Sequence, residues 1–163
     1  MSFKNILLLS AALIAFSMIS TPAMAETRPI QLALVTPIQI FPEEDNITGV
    51  RLNLLYGRNA FFTGVDLGLV NHTTSGVCKG YQAGLVGIAD RDFVGWQDNV
   101  VNVVNGKFEG FQWGFVNYAK SASGFQLGLV NYAESIYGLQ IGLANIIRQD
   151  GAFPAFPIVN WSF

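Results

Sequence analysis

The sequence is poor in the residues that usually carry chemistry. It has one cysteine and one histidine in 163 residues. One cysteine excludes an internal disulfide and a Cys-rich zinc site, and one histidine excludes a two-histidine metal pair. Charged residues make up 12%, about half the roughly 25% of an ordinary globular chain. Nine basic against eleven acidic residues leave no basic footprint for nucleic acid. After the first 25 residues no apolar run is long enough for a membrane helix, which needs about 20 residues.

What is abundant is apolar residues, at 51%, and glycine, at 17. Part of the apolar content lies in residues 1–25. Lys4 precedes an apolar stretch from Ile6 to Ile19, and Ala23-Met24-Ala25 follows as a small-residue cleavage signal. This is the pattern of a secretory signal peptide, so the mature chain is expected to start near Glu26. Loss of Lys4 leaves eight basic and eleven acidic residues, a net charge of −3. No cysteine follows the cleavage signal to take a lipid.

Residues 26–163 read as a single domain built from one unit repeated about nine times. The clearest copies are Gly110-Phe-Gln-Trp-Gly-Phe-Val-Asn117, Gly124-Phe-Gln-Leu-Gly-Leu-Val-Asn131 and Gly138-Leu-Gln-Ile-Gly-Leu-Ala-Asn145. Looser copies start at Gly49, Gly64, Gly80 and Gly95, and successive starts are 14 to 16 residues apart. Pro29 to Thr36 is a disguised first copy and Ile158 to Phe163 a degenerate last one, as terminal capping repeats tend to be. Only residues 36–48, with two prolines and Glu43-Glu44-Asp45, break the pattern. They are expected to form a surface loop or entry segment.

Within a unit, with the leading glycine as position one, positions two, four and six are apolar and three and five are Gln and Gly. Alternation of period two argues for strands, and two glycines per unit argue against helix. Position seven is apolar in every unit, so both strand faces are expected to bury something. Two all-β architectures accommodate the repeat. A parallel β-solenoid with one unit per coil is favoured, because it requires constant circumference and identical residues at identical positions. In it Asn71, Asn102, Asn117, Asn131, Asn145 and Asn160 would stack as one ladder, and Gln82, Gln97, Gln112, Gln126 and Gln140 as another. The alternative is a small antiparallel outer-membrane barrel, with Gln and Gly facing the lumen and Phe163 as its terminal aromatic. Against it stand the odd strand count, since bacterial barrels are even, and the parity of Phe163.

Candidate chemistry is sparse. His72 lies near Asp66 in sequence, but it occupies a repeat position filled by Tyr118 and Tyr132 in sister units, which favours a packing role. Cys78 falls in a lengthened turn and reads as a free thiol rather than an intermolecular link. Glu43-Glu44-Asp45-Asn46 lacks the ligand spacing of a calcium loop and reads as a solvated loop. Asp90-Arg91-Asp92 reads as a charged turn. Asp98 replaces an apolar residue at position four and marks a wet spot on that face. Gly-x-Gln-x-Gly inside strands is not a dinucleotide fingerprint, which requires a strand-to-helix turn. No catalytic, cofactor-binding or metal-binding residue is assigned, and the chain reads as non-enzymatic. The position-seven column of Val101, Val116 and Val130 is expected to form a self-association or lipid-facing stripe.

The repeated Gly124-to-Asn145 run, with Gly95-Trp-Gln-Asp upstream and the ending Phe156-Pro-Ile-Val-Asn-Trp-Ser-Phe163, resembles exported bacterial surface-repeat proteins of the leptospiral type and their proteobacterial relatives. The resemblance implies a repeat architecture and a place in the envelope of a Gram-negative bacterium: outer membrane, cell surface or periplasm. It implies no activity, ligand or cofactor. The units at Gly49 and Gly95 depart from the motif through Arg51, Asn53 and Asn99, so strict coil regularity is not expected there.

Overall fold

The computed structural model describes residues 25–163. The signal-peptide reading therefore lies, apart from Ala25, outside the described residues. The strands are β1 (Thr27–Val35), β2 (Ile38–Gln39), β3 (Asn46–Asn59), β4 (Phe62–Thr73), β5 (Val77–Ala89), β6 (Asp92–Trp113), β7 (Val116–Leu127), β8 (Val130–Gln149) and β9 (Ala155–Ser162). From β1 through β3 to β8 each strand pairs in parallel with the next. Parallel neighbours in a flat sheet need a crossover of a dozen or more residues, whereas only Ala60 and Phe61 separate β3 from β4. The strand itself must therefore travel once round an axis before it meets its neighbour. The result is a β-solenoid of about eight turns with a repeat of about 15 residues.

Register follows the repeat. Gly110 pairs with Gly124 and Gly124 with Gly138, and Asn117 pairs with Asn131. At position one the glycine turns the chain: Gly110 has φ +132, and a Cβ there would lie 2.1 Å from the Gly95 carbonyl oxygen. Only glycine fits where one coil's backbone presses on the next.

The sheet is open. Its order runs from β2 to β9 without closure, and both ends are antiparallel additions, β2 on β1 and β9 on β8. This excludes the barrel. It also revises the unit count at the C-terminus, where the degenerate copy lies in the reversed capping strand β9 (Ala155–Ser162) rather than in a further coil. Residues 36–48 fold back over the first coil. Phe41 offers its carbonyl to Gln31 Nε2 at 2.8 Å and its N–H to Gln31 Oε1 at 3.1 Å, closing that end of the interior.

The interior has two halves. On one side Phe62, Cys78, Phe93 and Phe108 stack in a buried column beside Ala89, Val104, Ala119 and Ala133. The outer surface over that side carries charge, including Lys79, Arg91, Lys107, Glu109 and Lys120. On the other side the arrangement is inverted: Gln and Asn are buried, and the residues at positions two, four and six point outward. The sequence reading placed position seven on the face opposite these three. The bends at Gly114-Phe115 and Gly128-Leu129 rotate the strand, so position seven also faces outward.

Candidate functional site

Glutamines at position three make one chain of hydrogen bonds along the axis. Each Nε2 donates to the preceding coil's Oε1, from Gln140 through Gln126, Gln112 and Gln97 to Gln82, at 2.7–2.9 Å. Gln82 donates to Asp66 Oδ2 at 2.8 Å, and Asp66 receives Arg51 Nε and Nη2 at 2.7 and 2.6 Å. Arg51 and Asp66 thus replace Gln at position three in their own units. Both side chains are fully buried. Arg51 Nη1 also donates to the His72 carbonyl, and Asn53 Nδ2 donates to Asp66 Oδ1. A buried ion pair persists only when its remaining groups are bonded in this way.

The asparagines run the other way. Asn102 donates to Asn117, Asn117 to Asn131 and Asn131 to Asn145, at 2.7–2.8 Å. Asn71 and Asn102 are separated by Gly87, which occupies the Asn position of its coil. Asn99 fills that gap: its Nδ2 reaches Asn102 Oδ1 at 2.7 Å, and a Cβ on Gly87 would meet it at 2.5 Å. The same exchange occurs between Gly57 and Asn53, whose Nδ2 bonds Asn71 Oδ1. Asn160 does not belong to the ladder. It sits opposite Gln140 in the antiparallel cap and bonds the Phe153 carbonyl. The Gln140 Oε1 at the end of the column is left buried and unpartnered.

These ladders spend the polar side chains internally, so the outer face above them is apolar. Phe115 is 62% and Leu143 73% exposed, and Val116 and Val130 are each 38% exposed, with Val101 partly covered. Position-four and position-six side chains flank the position-five backbone as two ridges. Between them lie two separate widenings, one toward each end of the solenoid. The N-terminal widening, about 810 Å³, is lined by Leu32, Leu34, Leu52, Leu54, Leu67 and Leu69 among others. The C-terminal one, about 400 Å³, lies over Gly114, Gly128 and Gly142 between Trp113, Leu127 and Ile141 on one side and Phe115, Leu129 and Leu143 on the other. Between the two widenings lie Ala83 and Asp98 at position four.

The single histidine is not near the carboxylate that its sequence position suggested. Asp66 belongs to Arg51, and His72 lies instead between Tyr56 and Asp90, with Tyr56 Oη to Nδ1 at 2.8 Å and Nε2 to Asp90 Oδ2 at 3.0 Å. The ring thus bridges the Tyr56 phenol and the Asp90 carboxylate. Burial pushes the Tyr56 phenol above its ordinary range, so it stays a donor. Both ring nitrogens are occupied, and the group fastens three successive coils at the rim of the apolar face. The link was missed because a repeat aligns His72 with Tyr118 and Tyr132, while the bulge between Asn53 and Tyr56 shifts Tyr56 into reach.

Cys78 is buried in the phenylalanine column, where burial raises its thiol above the ordinary value. Asp45 is also taken up structurally. It accepts from the Glu26 N–H and from Arg28 Nε, whereas Glu43 pairs with Arg58 at the surface. Among the described residues no group of three or more His, Cys, Asp or Glu could hold a metal ion.

Fold and surface together define an open, capped β-solenoid with one charged and one apolar outer side. No family model, curated protein or solved structure matches the chain.

Proposed function

We propose that the protein is a non-enzymatic interaction module of the bacterial cell envelope, exported through the Sec pathway and docking through its apolar outer face. The observation that carries this reading is the inversion of one side of the coil. Contiguous exposed apolar surface marks an interaction site in a folded protein, and here the repeat renews it in every turn while burying the amides beneath it. The leader pattern of residues 1–25 supports export. No helix among the described residues is long and apolar enough to cross a membrane.

The test is fractionation of the tagged full-length protein beside a Val116→Asp/Val130→Asp variant. The parent is expected with the envelope fraction, shortened by its leader. The variant, with an unchanged circular dichroism spectrum, is expected in the soluble periplasmic extract. A parent retained in the cytoplasm, or a folded variant distributed like the parent, overturns the reading.

A further inference from the structure

At mid-length the apolar face is interrupted by one carboxylate. Asp98 points outward at position four, a place held by Trp113, Leu127 and Ile141 in the next coils. Among the described residues its one side-chain hydrogen bond comes from the Tyr81 phenol, to Oδ2 at 3.2 Å. Burial, together with the Asp98 charge, raises the Tyr81 phenol above its ordinary range, so it remains a donor. Every ion pair formed among the described residues leaves Asp98 out.

The surroundings of Asp98 are aromatic. Tyr81, Trp96 and Phe111 follow one another edge-to-face in three successive coils, with ring centroids 5.5 and 5.6 Å apart, and Trp113 meets Phe111 at 6.2 Å. Trp96 and Trp113 are about half exposed. On the other side of Asp98, the preceding coil places Ala83 in register with it, the smallest side chain in that column. Rings bordering an unpaired carboxylate offer an organic cation both an ion pair and the negative faces of the rings. A chain attached to that cation could lie along the groove over Gly114 and Gly128, which begins at Trp113.

We infer that Asp98 and the rings of Tyr81, Trp96, Phe111 and Trp113 form a binding site for the ammonium group of an amphiphile whose hydrocarbon chain occupies the C-terminal groove. This rests on the reading of the apolar face as the docking surface and adds the chemistry of what docks. The carboxylate selects positive charge, the rings favour a weakly hydrated alkylammonium over a metal ion, and the glycine-floored groove takes the tail. The ligand class covers free alkylammonium compounds and lipids with an amine or choline headgroup.

The experiment titrates the purified protein, below the critical micelle concentrations, with dodecyltrimethylammonium, dodecyl maltoside and tetramethylammonium. Binding is followed by calorimetry and by tryptophan fluorescence. Dodecyltrimethylammonium is expected to bind at least tenfold tighter than the neutral maltoside. Asp98→Asn should remove that difference while leaving maltoside binding unchanged, and Trp96→Ala should weaken only the ammonium compound. Zwitterionic phosphatidylcholine vesicles then separate the lipid source from the free one: retention on vesicles that depends on Asp98 assigns the headgroup, and its absence with intact detergent binding assigns the free amphiphile. Equal affinities for the two detergents, or an Asp98→Asn variant that still prefers the ammonium compound, overturns the inference but leaves the apolar-face reading standing. Binding of neither detergent also overturns it, and the fractionation experiment then decides the docking reading separately.

Discussion

The Arg51 guanidinium and the Asp66 carboxylate face each other across one coil spacing in the solenoid interior, with two nitrogen–oxygen contacts of 2.7 and 2.6 Å. Between them they occupy two successive places in a column that Gln82 to Gln140 continue. The carboxylate is the acceptor on which the whole row of glutamine donors ends, which sets the direction of every bond in it.

Removing one partner should therefore be far worse than removing both. Arg51→Gln or Asp66→Gln alone is expected to cost about 3–5 kcal/mol, the usual result of leaving a buried charge unpaired. The double variant Arg51→Gln/Asp66→Gln extends the glutamine column by two rungs and should recover most of that loss. Urea unfolding followed by circular dichroism measures all three, and a double variant as unstable as the sum of the singles contradicts the column model.

The Gly/Asn exchange gives a second cycle. Gly87→Asn places a side chain in space filled by Asn99, and Asn99→Gly leaves that space empty and Asn102 Oδ1 without its donor. Each is expected to destabilise by about 1–3 kcal/mol. Gly87→Asn with Asn99→Gly restores the pattern of the neighbouring coils and should show a favourable coupling of about 1 kcal/mol or more in a double-mutant cycle.

Gly110→Ala tests the coil corner. The added Cβ would lie 2.1 Å from the Gly95 carbonyl oxygen on a backbone of φ +132, so a loss of at least about 2 kcal/mol is expected. Ser123→Ala, which precedes the equivalent Gly124, has no such contact and should stay within about 0.5 kcal/mol of the parent. Thermal melts of the two variants separate backbone crowding from a general intolerance of this corner.

Cys78 should react with a thiol reagent only as fast as the fold opens. Its pKa is raised by burial, so the protonated thiol is the form that suits the native state. That contribution is intact below the thiol's unfolded value and is lost as pH rises through the raised folded one. Native labelling should stay slow into mildly alkaline solution and become complete in denaturant, with a monomer on a non-reducing gel. Rapid native labelling would place the thiol at the surface.

The architecture was legible from repetition. Copies 14 to 16 residues apart with Gly, Gln and Asn at fixed places favour a stack in which like positions meet, and the order of strands and most of the register follow once the open parallel sheet excludes the barrel. Which residues occupy the interior was less legible, because a period-two pattern names two faces without saying which is inside. In most proteins the apolar face goes inward. Here stacked amides fill that side of the interior by bonding to one another, so burial of Gln126 and Asn131 is offset by hydrogen bonds that no single unit could form.

The remaining features depend on contacts between different coils. Nothing in a linear reading joins Asn99 to Gly87, Tyr56 to His72 or Arg51 to Asp66, because each link crosses from one turn to another and each involves a local departure from the repeat. The amino-acid sequence by itself determined that the chain is an all-β array of like units, since its alternation and its two glycines per unit fit strands and not helix. Only the tertiary structure decided which way each strand turns its side chains, and with that the exposure of the apolar face, because the buried amides find their hydrogen-bond partners only when stacking brings successive coils into register.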